Sequence, residues 1–396
     1  MYDLNTNKKL RALSLGGFLV NADNRAIAPM LPAMAVALNT TTTHVALLVT
    51  AYSIPYGVCQ LFYGALAEKL GKITIILVSF CLFAIGTIMC GIVHTYSWLL
   101  VLRVLTGAFA AGIIPTTLAQ IGDWFERSER PRAIAFFMSV STTGQALGIV
   151  IGGLVAQFFS YRILFILLGV ACIPSLISIY RGRDRVAPKP IKTESIPFYQ
   201  RYRELFRNRK SWQIYGLVLC EGLVFFGGFT FLGVYGVTTL HLSYLTIGIL
   251  TATYSVGAVV GSKTISRMLA HIAAEKMPML GSALMILGFG IIWVLPSVVA
   301  LTIGFIILGL GFSYCHSTLQ TFATDLLLNG RAIAVSMFAF SLFLGSGLGP
   351  IGLGKIFDAY GSSVLLGIVT IGTAVFCCLC MVLLKKSDKR YGDIEH

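Results

Sequence analysis

Apolar stretches long enough to cross about 30 Å of hydrocarbon recur from one end of the chain to the other, separated by short polar breaks. Twelve such runs fall at 12–36, 44–67, 73–93, 97–123, 132–158, 161–180, 212–240, 244–269, 277–295, 298–325, 331–357 and 361–384. Each reads as a helix, because an open sheet edge would leave backbone groups unsatisfied in lipid. No ten-residue alternation of a barrel is present. An even number of spans places both termini on one side.

The first run is interrupted. "GFLVNADNRAIAPMLPAM", Gly17 to Met34, carries Asn21, Asp23, Asn24 and Arg25 inside an otherwise apolar span. Charges near a bilayer centre are costly, so they face a protein interior or water. On a helix Asp23 and Arg25 stand about 200° apart, whereas Asn21 and Arg25 share a face. Pro29 and Pro32 remove two backbone donors, which predicts a distorted, partly hydrated helix lining a cavity. One charge would reach that cavity and the other a neighbouring helix. An internal ion pair of Asp23 with Arg103 is the alternative.

The longest break is Arg181–Ser211, rich in proline and basic residues. It divides the chain into a six-span half at 1–180, a basic linker at 181–211, and a second six-span half at 212–396. The halves resemble each other: "RAIAFFMSVSTTGQALG" from Arg132 echoes "RAIAVSMFAFSLFLGSG" from Arg331. Duplicated halves point to a carrier that binds its substrate near the membrane midplane.

Composition agrees with a membrane protein. Only 12% of residues are charged and 56% are hydrophobic, with a mean hydropathy of +0.83, against about a quarter charged in soluble domains. The net charge of +14 could suggest nucleic acid, but its placement argues against that partner. With alternate loops assigned to two sides, 26 of the 30 Lys and Arg fall on the side of the termini. The positive-inside rule makes that side cytoplasmic. The nine cysteines lie mostly in apolar runs without zinc-ligand spacing, so neither a metal nor another cofactor is expected.

Three motifs carry a family resemblance. "GALAEKLGK", Gly64 to Lys72, resembles the loop motif between spans two and three of the major facilitator superfamily, with Glu68 where that family usually has Asp. Gly64 and Gly71 suit a tight turn and close backbone approach. "LRVLTGAFAAGIIP", Leu102 to Pro115, resembles the family's R-x-x-x-G motif in span four and contributes Arg103. "TGQALGIVIGG", with Gly144, Gly148, Gly152 and Gly153, resembles the glycine-rich signature of the twelve-helix drug:proton antiporter branch, and Ile149 stands where that signature commonly has proline. "GSGLGPIGLG", with Gly345, Gly349 and Pro350, occupies the related place in the second half. Glycines four apart form a smooth helix face for close packing.

The resemblance implies an all-α membrane protein of the major facilitator fold, with twelve transmembrane helices in two pseudo-symmetric six-helix bundles. It implies a gate at the cytoplasmic side built by Gly64, Glu68, Gly71 and Lys72, to which Asp123 and Asp325 are added as matching span ends. It also implies a role for Arg103 in proton coupling, a structural hydrogen-bonding hub being the alternative.

Asp23 and Glu221 are the carboxylates deepest within the spans, one in each half, and are the candidate proton-coupling acids with Arg103. Asn21, Asn24, Arg25, Phe225, Phe226, Phe229 and His316 are the candidate lining of a substrate cavity. The expected function is proton-coupled export of amphipathic or drug-like small molecules by a monomer in a bacterial inner membrane. A carrier dedicated to one metabolite and a non-transporting sensor are the alternatives. An enzyme is not expected: the chain has no GxxxxGK[ST], HExxH or GxSxG motif.

Overall fold

The computed structural model describes residues 4–126, 129–182, 198–327 and 331–385, so residues 183–197 of the linker and the C-terminal tail lie outside them. The described residues are helical and contain no strand. Their contacts divide the chain into two compact units. One is Met1–Gln200 with Ser243–Gly248, and the other is Arg201–Leu242 with Ile249–His396.

The first unit is built from α1 (Leu4–Ala37), α2 (Thr42–Leu70), α3 (Lys72–Ile92), α4 (Tyr96–Ala110), α5 (Ile114–Trp124), α6 (Arg130–Phe158) and α7 (Tyr161–Gly182). Helices α4 and α5 are one span, Tyr96–Trp124, broken by a turn ahead of Pro115, whose ring cannot continue the backbone ladder. Local backbone chemistry sets two boundaries. The Thr41 hydroxyl accepts from the His44 N–H at the start of α2, and Gly71 turns the chain from α2 into α3 at φ 89°.

The second half of the chain begins with α8 (Phe198–Arg207), followed by α9 (Arg209–Glu221), a π-helical segment (Gly222–Phe226) and α10 (Gly227–Thr238), the last three forming one span, Arg209–Thr238. It continues with α11 (Tyr244–Leu269), α12 (Met277–Val294), α13 (Val298–Thr324) and α14 (Arg331–Lys385). Helix α14 is two spans run together, bent at Gly361 where φ is 78°. Ten described helices are long and apolar enough to cross a membrane. The 34-residue α1, apolar apart from its polar cluster, and the division of α14 bring the spans to twelve.

Two details differ from the sequence reading. Helix α1 runs unbroken through Pro29 and Pro32, because packing against α6 and α7 supports it where backbone bonds are lost. The linker is also not all connector. Within it α8 is amphipathic: Leu205 is buried, the Phe206 ring lies 5.1 Å from Trp212, and the Trp212 Nε1–H donates to the Phe206 carbonyl at 2.8 Å. Burial pushes the Tyr202 phenol up to about 12, so it stays neutral.

Candidate functional site

In the first unit Arg103 on α4 and Asp23 on α1 form an ion pair, Nη1 to Oδ2 at 2.7 Å, with side chains 1% and 0% exposed. A charge this deep requires a partner, and the surroundings supply more than one. The guanidinium carbon lies 4.3 Å from the Tyr52 ring centroid and 5.6 Å from that of Phe165, in reach of cation–π attraction. Gly107, one turn after Arg103, lies against the Tyr52 backbone where any Cβ would collide. The R-x-x-x-G spacing thus puts guanidinium and glycine on one face of α4, which settles against α2.

The aim of Asp23 is set from the other side of α1. Gly144, Gly148 and Gly152 of α6 lie against Phe18, Ala22 and Ala26, backbone to backbone. That ridge turns position 23 toward α4. Asn21 donates from Nδ2 to the Ser141 carbonyl at 3.0 Å, and Asn24 and Arg25 are half-buried. Asp23 therefore faces a neighbouring helix as an ion pair and does not reach a cavity. Gly153 faces Tyr244 and Gly248 of the segment that groups with this unit.

At the α2–α3 turn, Lys72 pairs with Asp123 of α5, Nζ to Oδ2 at 2.5 Å, with side chains 21% and 52% exposed. Glu68 is exposed near the end of α2. Gly64 departs from the sequence reading: it lies inside α2 with open space where a Cβ would stand, so the turn belongs to Gly71 alone. Asp325 is exposed at the end of α13.

In the second unit Glu221, the last residue of α9, meets His316 of α13. Nδ1 lies 3.1 Å from Oε2, with Glu221 0% and His316 19% exposed. The π segment starts one residue later. Its extra residue per turn re-aims Phe225 and Phe226, and such segments occur often at functional sites. Gly345 and Gly349 of α14 lie against Leu219, Leu223 and Gly227, and Gly222 lies against Leu342 and Ser346. The glycines in the turns around Pro350 thus bring α14 against the α9–α10 span.

Phe225, Phe226 and Phe229, expected to line a cavity, are instead buried against other rings. Phe312 stacks on Phe225 at 4.7 Å and on His316 at 4.7 Å, and Tyr254, Phe289 and Phe305 complete the cluster. Ring–ring attraction is worth roughly 0.5–1.5 kcal/mol a pair beyond area burial. The sequence reading missed Tyr52, Phe165, Phe312 and Tyr254. Only Tyr52 carried a signal, as one of two tyrosines at i and i+4 in an apolar helix.

Each unit therefore holds a buried carboxylate with a basic partner, and each carboxylate has one oxygen, Asp23 Oδ1 and Glu221 Oε1, without a hydrogen-bond partner among the described residues. Such a group can exchange a proton only if its partner rearranges or loses its own charge. Among the described residues no group of three or more His, Cys, Asp or Glu is placed to hold a metal ion.

Residues 13–350 match the family described as Major Facilitator Superfamily. The chain is 25% identical over 384 residues to an uncharacterized MFS-type transporter, YceJ, of Bacillus subtilis, covering 94% of this chain and 95% of that one. It is 28% identical over 210 residues to the quinolone resistance protein NorA of Staphylococcus aureus, covering 53% and 52% of the two chains. The crystal structure of the nucleoside transporter NupG, in a D323A mutant, superposes with a TM-score of 0.79 at 16% identity, covering 95% of this chain and 99% of that one.

Proposed function

The chain belongs to the Major Facilitator Superfamily, and from that membership we propose that it exports amphipathic, drug-like small molecules in exchange for protons, by alternating access. That it is a multi-pass membrane transporter and not an enzyme follows from the family and the relatives. The finer reading is carried by one observation: each unit holds a buried acid paired with a base, Asp23 with Arg103 and Glu221 with His316.

A buried acid that takes up a proton no longer balances the charge of its partner. The partner then needs a new position, and the partners sit on different helices, so protonation is linked to helix packing. Export follows if the guest favours the deprotonated protein and protons favour release outside. In this reading a lipophilic guest replaces ring–ring contacts of the aromatic cluster with its own, and NorA is named for quinolone resistance. Asn21, Asn24 and Arg25 are the polar contacts proposed for the guest in the first unit, and His316 in the second. Lys72 with Asp123, Glu68 and Gly71 are the gating residues proposed for the first unit, and Asp325 for the second. The protein works as a monomer in a bacterial inner membrane with its termini and the 181–211 linker in the cytoplasm, as the distribution of Lys and Arg supports.

The test uses purified protein in proteoliposomes with ethidium as probe and an imposed pH gradient. Wild type accumulates the probe with the gradient, and Glu221→Gln and Asp23→Asn lose that accumulation. Wild-type rates and unchanged pH dependence in both variants would overturn proton coupling through these carboxylates. A wild type that ignores ethidium and moves one metabolite would favour the dedicated carrier.

A further inference from the structure

The two acid–base pairs are not chemically equal. Asp23 meets a guanidinium, which does not give up its proton in proteins, and both partners are sealed at 0% and 1% exposure. Glu221 meets an imidazole, the side chain whose ordinary titration lies closest to neutrality, and that imidazole is 19% exposed while the carboxylate is 0% exposed. We infer that His316 is the proton-exchanging partner of Glu221, passing protons between water and the buried carboxylate, while Asp23–Arg103 is a fixed brace. This rests on the proton-coupled reading above and assigns its proton path to one unit.

The geometry gives each ring nitrogen a role. Nδ1 faces Glu221 Oε2 at 3.1 Å, which leaves Nε2 for water. A proton added at Nε2 makes the imidazolium. Nδ1 then passes its own proton to Oε2, leaving a neutral imidazole protonated at Nε2 and a neutral carboxyl. The reverse sequence returns the proton, so charge and hydrogen balance in both directions. The ring is held for this exchange by Phe312, stacked at 4.7 Å and 14°, and by Phe338 at 5.0 Å.

The other groups around the pair do not compete for the role. Cys315 on α13 is the titratable group next to Glu221, and Cys380 on α14 lies next to Cys315; both are buried thiols. Tyr254 of α11 lies beside Phe312. Helix α12 contains no Asp, Glu, Lys, Arg or His, and the charged residues of α14 are Arg331, Lys355, Asp358 and Lys385, all distant in sequence from Cys380 except Lys385 at the helix end.

The experiment follows the imidazole directly. Full-length protein in nanodiscs is labelled with 15N-histidine, and His316→Gln identifies the His316 signal among the six histidines. The wild-type signal should respond to pH, and Glu221→Gln should displace that response. Glu221→Asp, which keeps an acid, should retain a titrating signal. A signal that stays flat, or a midpoint identical in wild type and Glu221→Gln, would overturn the assignment. In proteoliposomes His316→Arg gives the second unit a fixed pair like the first. It should lose pH-gradient stimulation of ethidium transport by about tenfold or more. Undiminished stimulation in His316→Arg would also overturn it. A Glu221-dependent His316 titration in a wild type that shows no gradient stimulation supports the pair as drawn and overturns the proton-coupled reading instead.

Discussion

Gly148 of α6 lies against Ala22 of α1, where an added Cβ would stand 2.6 Å from the Ala22 Cα. Asp23 is the next residue along, and it reaches Arg103 at 2.7 Å. Neighbours on a helix differ by about 100° in direction, so the close approach at Ala22 fixes the rotation of α1 that sends Asp23 toward α4. The glycine stripe and the arginine motif are separate in sequence and serve one ion pair.

Enlarging that contact should disturb the pair. Gly148→Val places branched carbons where backbone already stands, and overpacking of this kind costs roughly 1–3 kcal/mol. The variant should unfold at lower temperature in detergent than wild type. Gly352→Ala, where open space surrounds the Cβ position, should leave the unfolding temperature nearly unchanged.

The Asp23–Arg103 pair predicts strong non-additivity. Asp23→Asn strands a buried guanidinium and should cost roughly 3–5 kcal/mol, whereas replacing both partners with apolar residues of similar size is often close to neutral. Denaturant unfolding of Asp23→Leu, Arg103→Met and the double variant checks this. If the double variant is as unstable as the sum of the singles, the two side chains do not act as a pair.

Two glycines of one motif should behave differently. Gly71 adopts φ 89° and ψ 134°, a region costly for a residue with a Cβ, by roughly 1–3 kcal/mol. Gly71→Ala should lower thermal stability by that order. Gly64 sits in an ordinary helix turn with open space around it, so Gly64→Ala should be neutral or slightly stabilising, since alanine favours helix by about 1 kcal/mol over glycine.

The Lys72–Asp123 pair is half in solvent, so its removal should be mild. Lys72→Ala is expected to cost at most about 1 kcal/mol, a difference that shrinks as salt is raised. Thermal unfolding at low and high ionic strength measures both quantities.

These contrasts also show what the sequence could and could not disclose. Span positions were legible because hydrocarbon thickness and backbone satisfaction leave few solutions, and the helices Tyr244–Leu269 and Tyr161–Gly182 begin where the apolar runs do. Asp23 with Arg103 was visible only as one of two possibilities, since periodicity gives directions on a single helix and not the rotation of its neighbour. The π segment after Glu221 was invisible: nothing in "GLVFF" distinguishes a π turn from an α-helical one, and Gly222 lies against Leu342 and Ser346 of α14. Helix α8 was obscured by its basic residues, although Tyr202, Leu205 and Phe206 have the spacing of a buried face.

Phe312 supplies the last prediction, because its ring is the link between the aromatic cluster and the acid–base pair. It stacks on Phe225 at 21° and on His316 at 14°, each with centroids 4.7 Å apart. Phe312→Leu preserves most apolar area but removes both stacks, a loss of roughly 1–3 kcal/mol for two aromatic contacts. Phe312→Tyr keeps the ring and should preserve both contacts. If the cluster merely fills space, leucine and tyrosine should support similar transport of ethidium once each is corrected for folded protein. If the ring holds His316 in line with Glu221, leucine should weaken pH-gradient-driven transport more than gradient-independent exchange, and tyrosine should not. Equal losses in both assays for Phe312→Leu would assign Phe312 to packing or to the guest, and not to the alignment of His316.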